Sequence, residues 1–99
     1  MTRAEMIAAL KTTETRLRDA GVAGLYLFGS FARDEAREGS DVDVFIDKAD
    51  PTHFGFQEFM ASYGIVQDAI PGRDVGFTTR EGLVDFYRSE IEKSAIRVF

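Results

Sequence analysis

Apolar positions along the chain change period several times, and each change marks an element. Met6, Ile7, Leu10 and Leu17 recur at helical spacing over residues 3–20, with Thr2 as the expected N-cap and Gly21 as the expected C-cap glycine. Thr13 alone interrupts that stripe. Residues 22–28, VAGLYLF, form a continuous apolar run that predicts a buried strand ended by Gly29. A short helix is expected over 31–37, a turn at Gly39-Ser40, and a second strand over 42–46, VDVFI. Asp50 followed by Pro51 predicts a helix start. Its core face would carry Phe56, Phe59, Met60, Tyr63, Val66 and Ile70, and Pro71-Gly72 would end it. Residues 74–78 predict a third strand, Thr79 the cap of a helix from 80 to 92, and the terminal AIRVF a last short strand. The predicted order is α-β-α-β-α-β-α. It describes one α/β or α+β domain over residues 1–99, a small sheet with helices packed on it and no internal repeat or linker.

Composition narrows the class. In 99 residues, 44% are hydrophobic and nine are Phe, enough for a packed core. The absence of Cys removes disulfides and thiolate metal sites and fits a reducing cytoplasm. The charged N-terminal residues predict no signal segment, and no run approaches the ~20 apolar residues that span a bilayer. A formal charge of −5 disfavours sequence-independent binding to nucleic acid. It remains compatible with a nucleotide neutralised by divalent cations and local Arg residues, and with a protein partner or a second copy of the chain.

Residues 29–43 concentrate the candidate chemistry. Gly29-Ser30 closes the first strand, and Asp41-Val42-Asp43 opens the second, with the ten residues Phe31 to Ser40 between them. Gly29 permits close backbone approach, and the N–H groups of a helix start together with the Ser30 hydroxyl can hold phosphate oxygens. Asp41 and Asp43 fall on one face of a strand with Cα atoms ~6.6 Å apart, and their side chains can converge on Mg²⁺. Taken singly, Gly-Ser reads first as an ordinary capped turn, and Asp-x-Asp as a solvated strand start.

Together, these motifs resemble the signature of the nucleotidyltransferase superfamily related to DNA polymerase beta, and most closely its minimal, MNT-type members. Ala32-Arg33 inside the spacer and residues 72–83 match the same pattern. The resemblance implies a mixed sheet flanked by helices and transfer of a nucleoside monophosphate, AMP from ATP, to an acceptor with Mg²⁺. Carried over by position, Gly29 and Ser30 would bind the triphosphate and Asp41 and Asp43 the metals. Arg33 and Arg37 would contact phosphate or a partner, or remain solvated helix charges. MNT-type proteins commonly act as antitoxins paired with a HEPN-type RNase toxin, whose Tyr hydroxyl can be the acceptor.

One departure divides the functional readings. The family usually carries a third carboxylate on the third strand, and the matching position here is Gly76. Asp74 would face the same side but lie ~6.6 Å along the strand, and Asp47 would lie ~13 Å beyond Asp43. Glu81 begins a helix. The site is therefore either completed by Asp74 as a third catalytic carboxylate or limited to Asp41 and Asp43. In the second case the protein would act by covering its partner. His53, the only histidine, reads as a surface residue. Phe54 and Ile65 fall roughly opposite the Phe-rich stripe, where a partner surface could lie, but they are too far apart on one helix to form a patch alone. Ile96, Val98 and Phe99 are either core or an edge that pairs with another chain.

Overall fold

The structure, a computed structural model, describes residues 1–99. The N-terminal stripe folds as two helices, α1 (Arg3–Lys11) and α2 (Glu14–Asp19), where one was expected. Thr2 caps α1 reciprocally. Its hydroxyl accepts from the Glu5 N–H at 3.1 Å, and the Glu5 carboxylate accepts from the Thr2 N–H at 2.8 Å. The break comes from the adjacent threonines. The Thr12 and Thr13 hydroxyls each donate to a carbonyl three residues back, Ala9 and Leu10, at 2.6 Å. Their N–H groups bond the same two carbonyls, which tightens the turn and redirects the chain. Thr13 is thereby buried, and Met6, Leu10 and Leu17 stay fully buried on both sides of it.

Four strands follow: β1 (Val22–Phe28), β2 (Val42–Lys48), β3 (Val75–Thr79) and β4 (Ile96–Arg97). They form one mixed sheet in the order β3-β2-β1-β4, with β1 antiparallel to both β2 and β4 and β2 parallel to β3. Leu25 pairs with Ile46, Leu27 with Val44 and Val42 with Val75, so these residues share one face. That face packs with Met6, Leu10, Leu17, Val66 and Ile70 into the main core. Tyr26, Asp43, Phe45, Asp47 and Gly76 alternate onto the other face. There the Tyr26 and Phe45 rings stack with centroids 4.7 Å apart. No helix is long and apolar enough to cross a membrane.

The remaining helices are shorter or shifted relative to the sequence pattern. Helix α3 is a single turn, Gly29–Ala32, rather than 31–37. Its Phe31 and Ala32 are buried, and the chain then leaves the helix through Asp34 at φ +59°. Pro51–His53 forms only a 3₁₀ turn capped by Asp50, and α4 (Phe56–Ala69) starts five residues later than Pro51. Phe54 is the reason: it turns inward from an extended backbone and is 8% exposed. This decides the role of Phe54 and Ile65 in favour of packing over a partner surface, since Phe54 lies in the core and Ile65 packs against it. The shift also turns Phe56 and Met60 outward, 78% and 47% exposed, while Phe59, Val66 and Ile70 face the core.

Beyond β3, Thr79 caps a 3₁₀ turn, Arg80–Gly82, instead of a long helix. Leu83 is drawn inward in an extended conformation, and α5 (Asp85–Ser94) begins after it. The terminal residues serve as both edge and core: β4 pairs with β1, Val98 is buried, and the Phe99 carbonyl accepts from the Leu25 N–H at 3.1 Å.

Arg80 ties the second face together. Its guanidinium donates to both Asp47 carboxylate oxygens, at 2.7 and 2.9 Å, and lies over the Tyr26 and Phe45 rings at 4.8 and 4.9 Å. These hydrogen bonds hold the Asp47 carboxyl below its ordinary pKa. A depressed folded-state pKa gives stability that is present above the unfolded value and lost as pH falls through the folded one. Asp47→Asn should therefore destabilise the protein by about 1–2 kcal/mol at pH ~7, with the loss discounted for partial solvent screening. Thermal melts should show the two proteins converging as pH drops from about 5 towards 3. A difference that stays constant across that range would refute the assignment.

Candidate functional site

The end of β1 and the start of β2 bring the two halves of the sequence motif together. Phe28 pairs with Asp43, and Gly29 turns directly into α3 at φ +73°, a conformation that strains any residue with a Cβ. A Cβ on Gly29 would also run into the Asp43 carboxylate. On the other side Asp43 pairs with Gly76 across the parallel β2–β3 ladder, and a Cβ on Gly76 would lie 2.6 Å from Asp43 Oδ1. The carboxylate thus occupies a slot between two glycine backbones. Gly76 is more than a missing carboxylate: in this arrangement its empty side holds part of Asp43.

This slot opens into a cleft of about 730 Å³. Gly29, Ser30, Arg33, Asp41 and Asp43 line one wall. The opposite wall is α5, through Tyr87, Glu90, Ile91 and Ser94. Five of the sequence-predicted site residues therefore meet in one place. No side chain caps the first turn of α3, which begins at this wall. Burial, together with the negative charge of Asp41, pushes the Asp43 carboxyl above its ordinary pKa; the Arg33 guanidinium opposes the shift.

The other candidates lie elsewhere. Asp74 is exposed and lines a separate hollow with Glu38, Gly39 and Arg73, while its carbonyl accepts from the Val42 N–H at 2.9 Å. No group of three or more His, Cys, Asp or Glu side chains is placed to hold a metal ion. Asp47 is engaged by Arg80, Glu81 lies 4.0 Å from Lys48, and His53 bonds Asp50 at 2.7 Å on the surface. Arg37 is exposed and does not line the cleft. Sequence reasoning missed Arg73, which stacks on Phe31 and donates to the Ser40 carbonyl at 3.0 Å, fastening the turn that presents Asp41. It also missed the α5 wall, whose residues follow no motif and reach the cleft only through the tertiary fold.

Residues 10–98 match the sequence model of the Nucleotidyltransferase domain family, and the chain belongs to that family. No curated protein sequence matches it. Among solved structures, it is similar to a candidate minimal nucleotidyltransferase at 23% identity and TM-score 0.80, over 97% of this chain and 95% of that one. A toxin–antitoxin structure with AMP-PNP matches at 17% identity and TM-score 0.67, over 90% and 72% of the two chains. A mutant of the toxin–antitoxin MntA–HpeT with two Asp-to-Glu changes matches at 15% identity and TM-score 0.65, over 90% and 71%. At these identities the likenesses show a common fold.

The elevated pKa of Asp43 has a consequence for folding. A raised carboxyl pKa leaves stability intact below the unfolded value and removes it as pH rises through the folded value. At neutral pH the ionised Asp43 is a net cost. Asp43→Asn should therefore raise stability, by under about 1 kcal/mol at pH ~7 after solvent screening, with the gain vanishing in acid. Melting curves check this, and an Asn variant less stable than the parent at neutral pH would contradict it.

Proposed function

We propose that the protein is an Mg²⁺-dependent nucleotidyltransferase that transfers AMP from ATP to a hydroxyl on a protein acceptor, a HEPN-type toxin, and so acts as a cytoplasmic antitoxin. The observation that carries this reading is the convergence of Gly29, Ser30, Asp41 and Asp43 in one cleft. Family membership and the likeness to toxin–antitoxin folds support it.

The donor set fits a divalent cation. Two aspartates offer hard oxygen ligands, and Asp43 is a half-buried carboxylate beside a like charge, an arrangement that a cation relieves. Asp41 and Asp43 would hold Mg²⁺, which when bound neutralises triphosphate charge and polarises the reacting phosphoryl group. Ser30, the first turn of α3 and Arg33 would hold the phosphate chain. The acceptor oxygen bonds to the α-phosphorus, the bond to pyrophosphate breaks, and the hydroxyl proton passes to solvent or a partner group. Incubation with labelled ATP, Mg²⁺ and the HEPN-type toxin should label the toxin, and Asp41→Ala should reduce labelling at least ~100-fold. An unlabelled toxin would refute transfer.

A second reading is favoured by Gly76 and by the placement of Asp74 outside the cleft. The residue that pairs with Asp43 on β3 is Gly76, and no third carboxylate joins Asp41 and Asp43 in a metal-holding group. The protein would then neutralise its partner by covering it. In that case the double variant Asp41→Ala, Asp43→Ala keeps toxin binding and neutralisation at the parent level in a growth-rescue assay. Loss of rescue with binding retained would return the argument to catalysis.

A further inference from the structure

Helix α5 forms a whole wall of the cleft yet contains no buried residue. Segments with little buried surface open at low cost. Besides the helix's direct run into β4, a side-chain tie through Arg80 holds it to the sheet. While two guanidinium nitrogens bind Asp47, Nη1 donates to the Glu92 carboxylate of α5 at 2.6 Å, and Glu92 also accepts from Arg88 at 3.1 Å. Arg80 and Glu92 are largely shielded, with side chains 24% and 33% exposed, and the stacked Tyr26 and Phe45 rings hold the guanidinium in place.

The wall so held differs in chemistry from the one it faces. The Gly29–Asp43 side is polar and charged, suited to phosphates and a cation. The α5 side presents the Tyr87 ring, 57% exposed, with Val84 and Ile91, beside the polar Glu90 and Ser94. A nucleotide has the same division: a charged phosphate chain and a flat base that stacks on aromatic faces. Resting on the nucleotide reading above, we propose that α5 is the nucleoside-binding wall, with Tyr87 as its stacking platform, and that Arg80 is a positioning residue that sets this wall through Glu92. Arg80 touches no reacting atom. It fixes the distance between the place that receives phosphates and the place that receives the base.

Glu92→Ala cuts the arm from Arg80 to α5, together with the Arg88–Glu92 bond inside the helix, and leaves the Arg80–Asp47 pair and both ring contacts in place. Two probes separate the walls. Mg²⁺–AMP-PNP spans both, whereas Mg²⁺–tripolyphosphate needs only the Gly29–Asp43 side. Calorimetric titration of the full chain should show Glu92→Ala weakening AMP-PNP by about five- to tenfold and tripolyphosphate by less than about twofold. Hydrogen–deuterium exchange across residues 85–94 should quicken in the same variant. Tyr87→Ala should weaken AMP-PNP selectively while leaving that exchange unchanged. Equal weakening of both probes would indicate general structural loss and overturn the proposal. So would unchanged exchange in Glu92→Ala, or a parent protein that binds AMP-PNP no more tightly than tripolyphosphate. A parent that binds neither probe overturns the nucleotide reading and the nucleoside wall with it, while the exchange rates still decide whether Arg80 and Glu92 position α5.

Discussion

Strand β2 must serve two environments at once, and the rest of the molecule is arranged around that constraint. Val42, Val44 and Ile46 point into the helical layer and are fully buried. Asp43, Phe45 and Asp47 point the opposite way, because side chains alternate along a strand. A shift of one residue in register would bury two carboxylates among Leu and Val side chains and expose the core. The hydrophobic effect that seals one face therefore also dictates where the carboxylates emerge. The acidic pair needs no separate device to reach the surface; core packing delivers it.

The second face then separates its two carboxylates by chemistry. Asp47 meets a guanidinium that is itself pinned between two aromatic rings, and its charge is stabilised. Four residues earlier, Asp43 meets two glycines and a neighbouring carboxylate, and its charge is opposed. One aspartate is structural and the other is kept under electrostatic tension, although they share a strand and a face. Stability has been given up at the position that faces the cleft, a pattern common where a site must bind a cation or substrate.

Much of this was legible beforehand. All four strands and the break at Gly29 follow from apolar runs and turn residues. Gly29, Ser30, Arg33, Asp41 and Asp43 were identified from spacing and resemblance, and they line one cleft. Helix limits were less legible, for one recurring reason. Phe54 and Leu83 each sit where a cap signal predicts continuous helix, yet each is pulled into an extended conformation by burial. Local capping competes at about a kilocalorie per mole, while burying a large apolar side chain is worth roughly two to three times that. Burial won both times and shifted α4 and α5 along the chain.

The sequence by itself determined the alternation of β2, the glycine at the strand-to-helix turn, and the separation of Gly29-Ser30 from Asp41 and Asp43. These are properties of neighbours along the chain, enforced by backbone geometry. Only the tertiary structure decided what lies across from them. The parallel pairing of β2 with β3 set Gly76 against Asp43 and left Asp74 in another hollow, and the reach of Arg80 from Asp47 to Glu92 brought α5 over the cleft. Strand register and long-range ion pairs join residues more than thirty positions apart. No local pattern encodes such distances, because they are settled by the packing of the whole core.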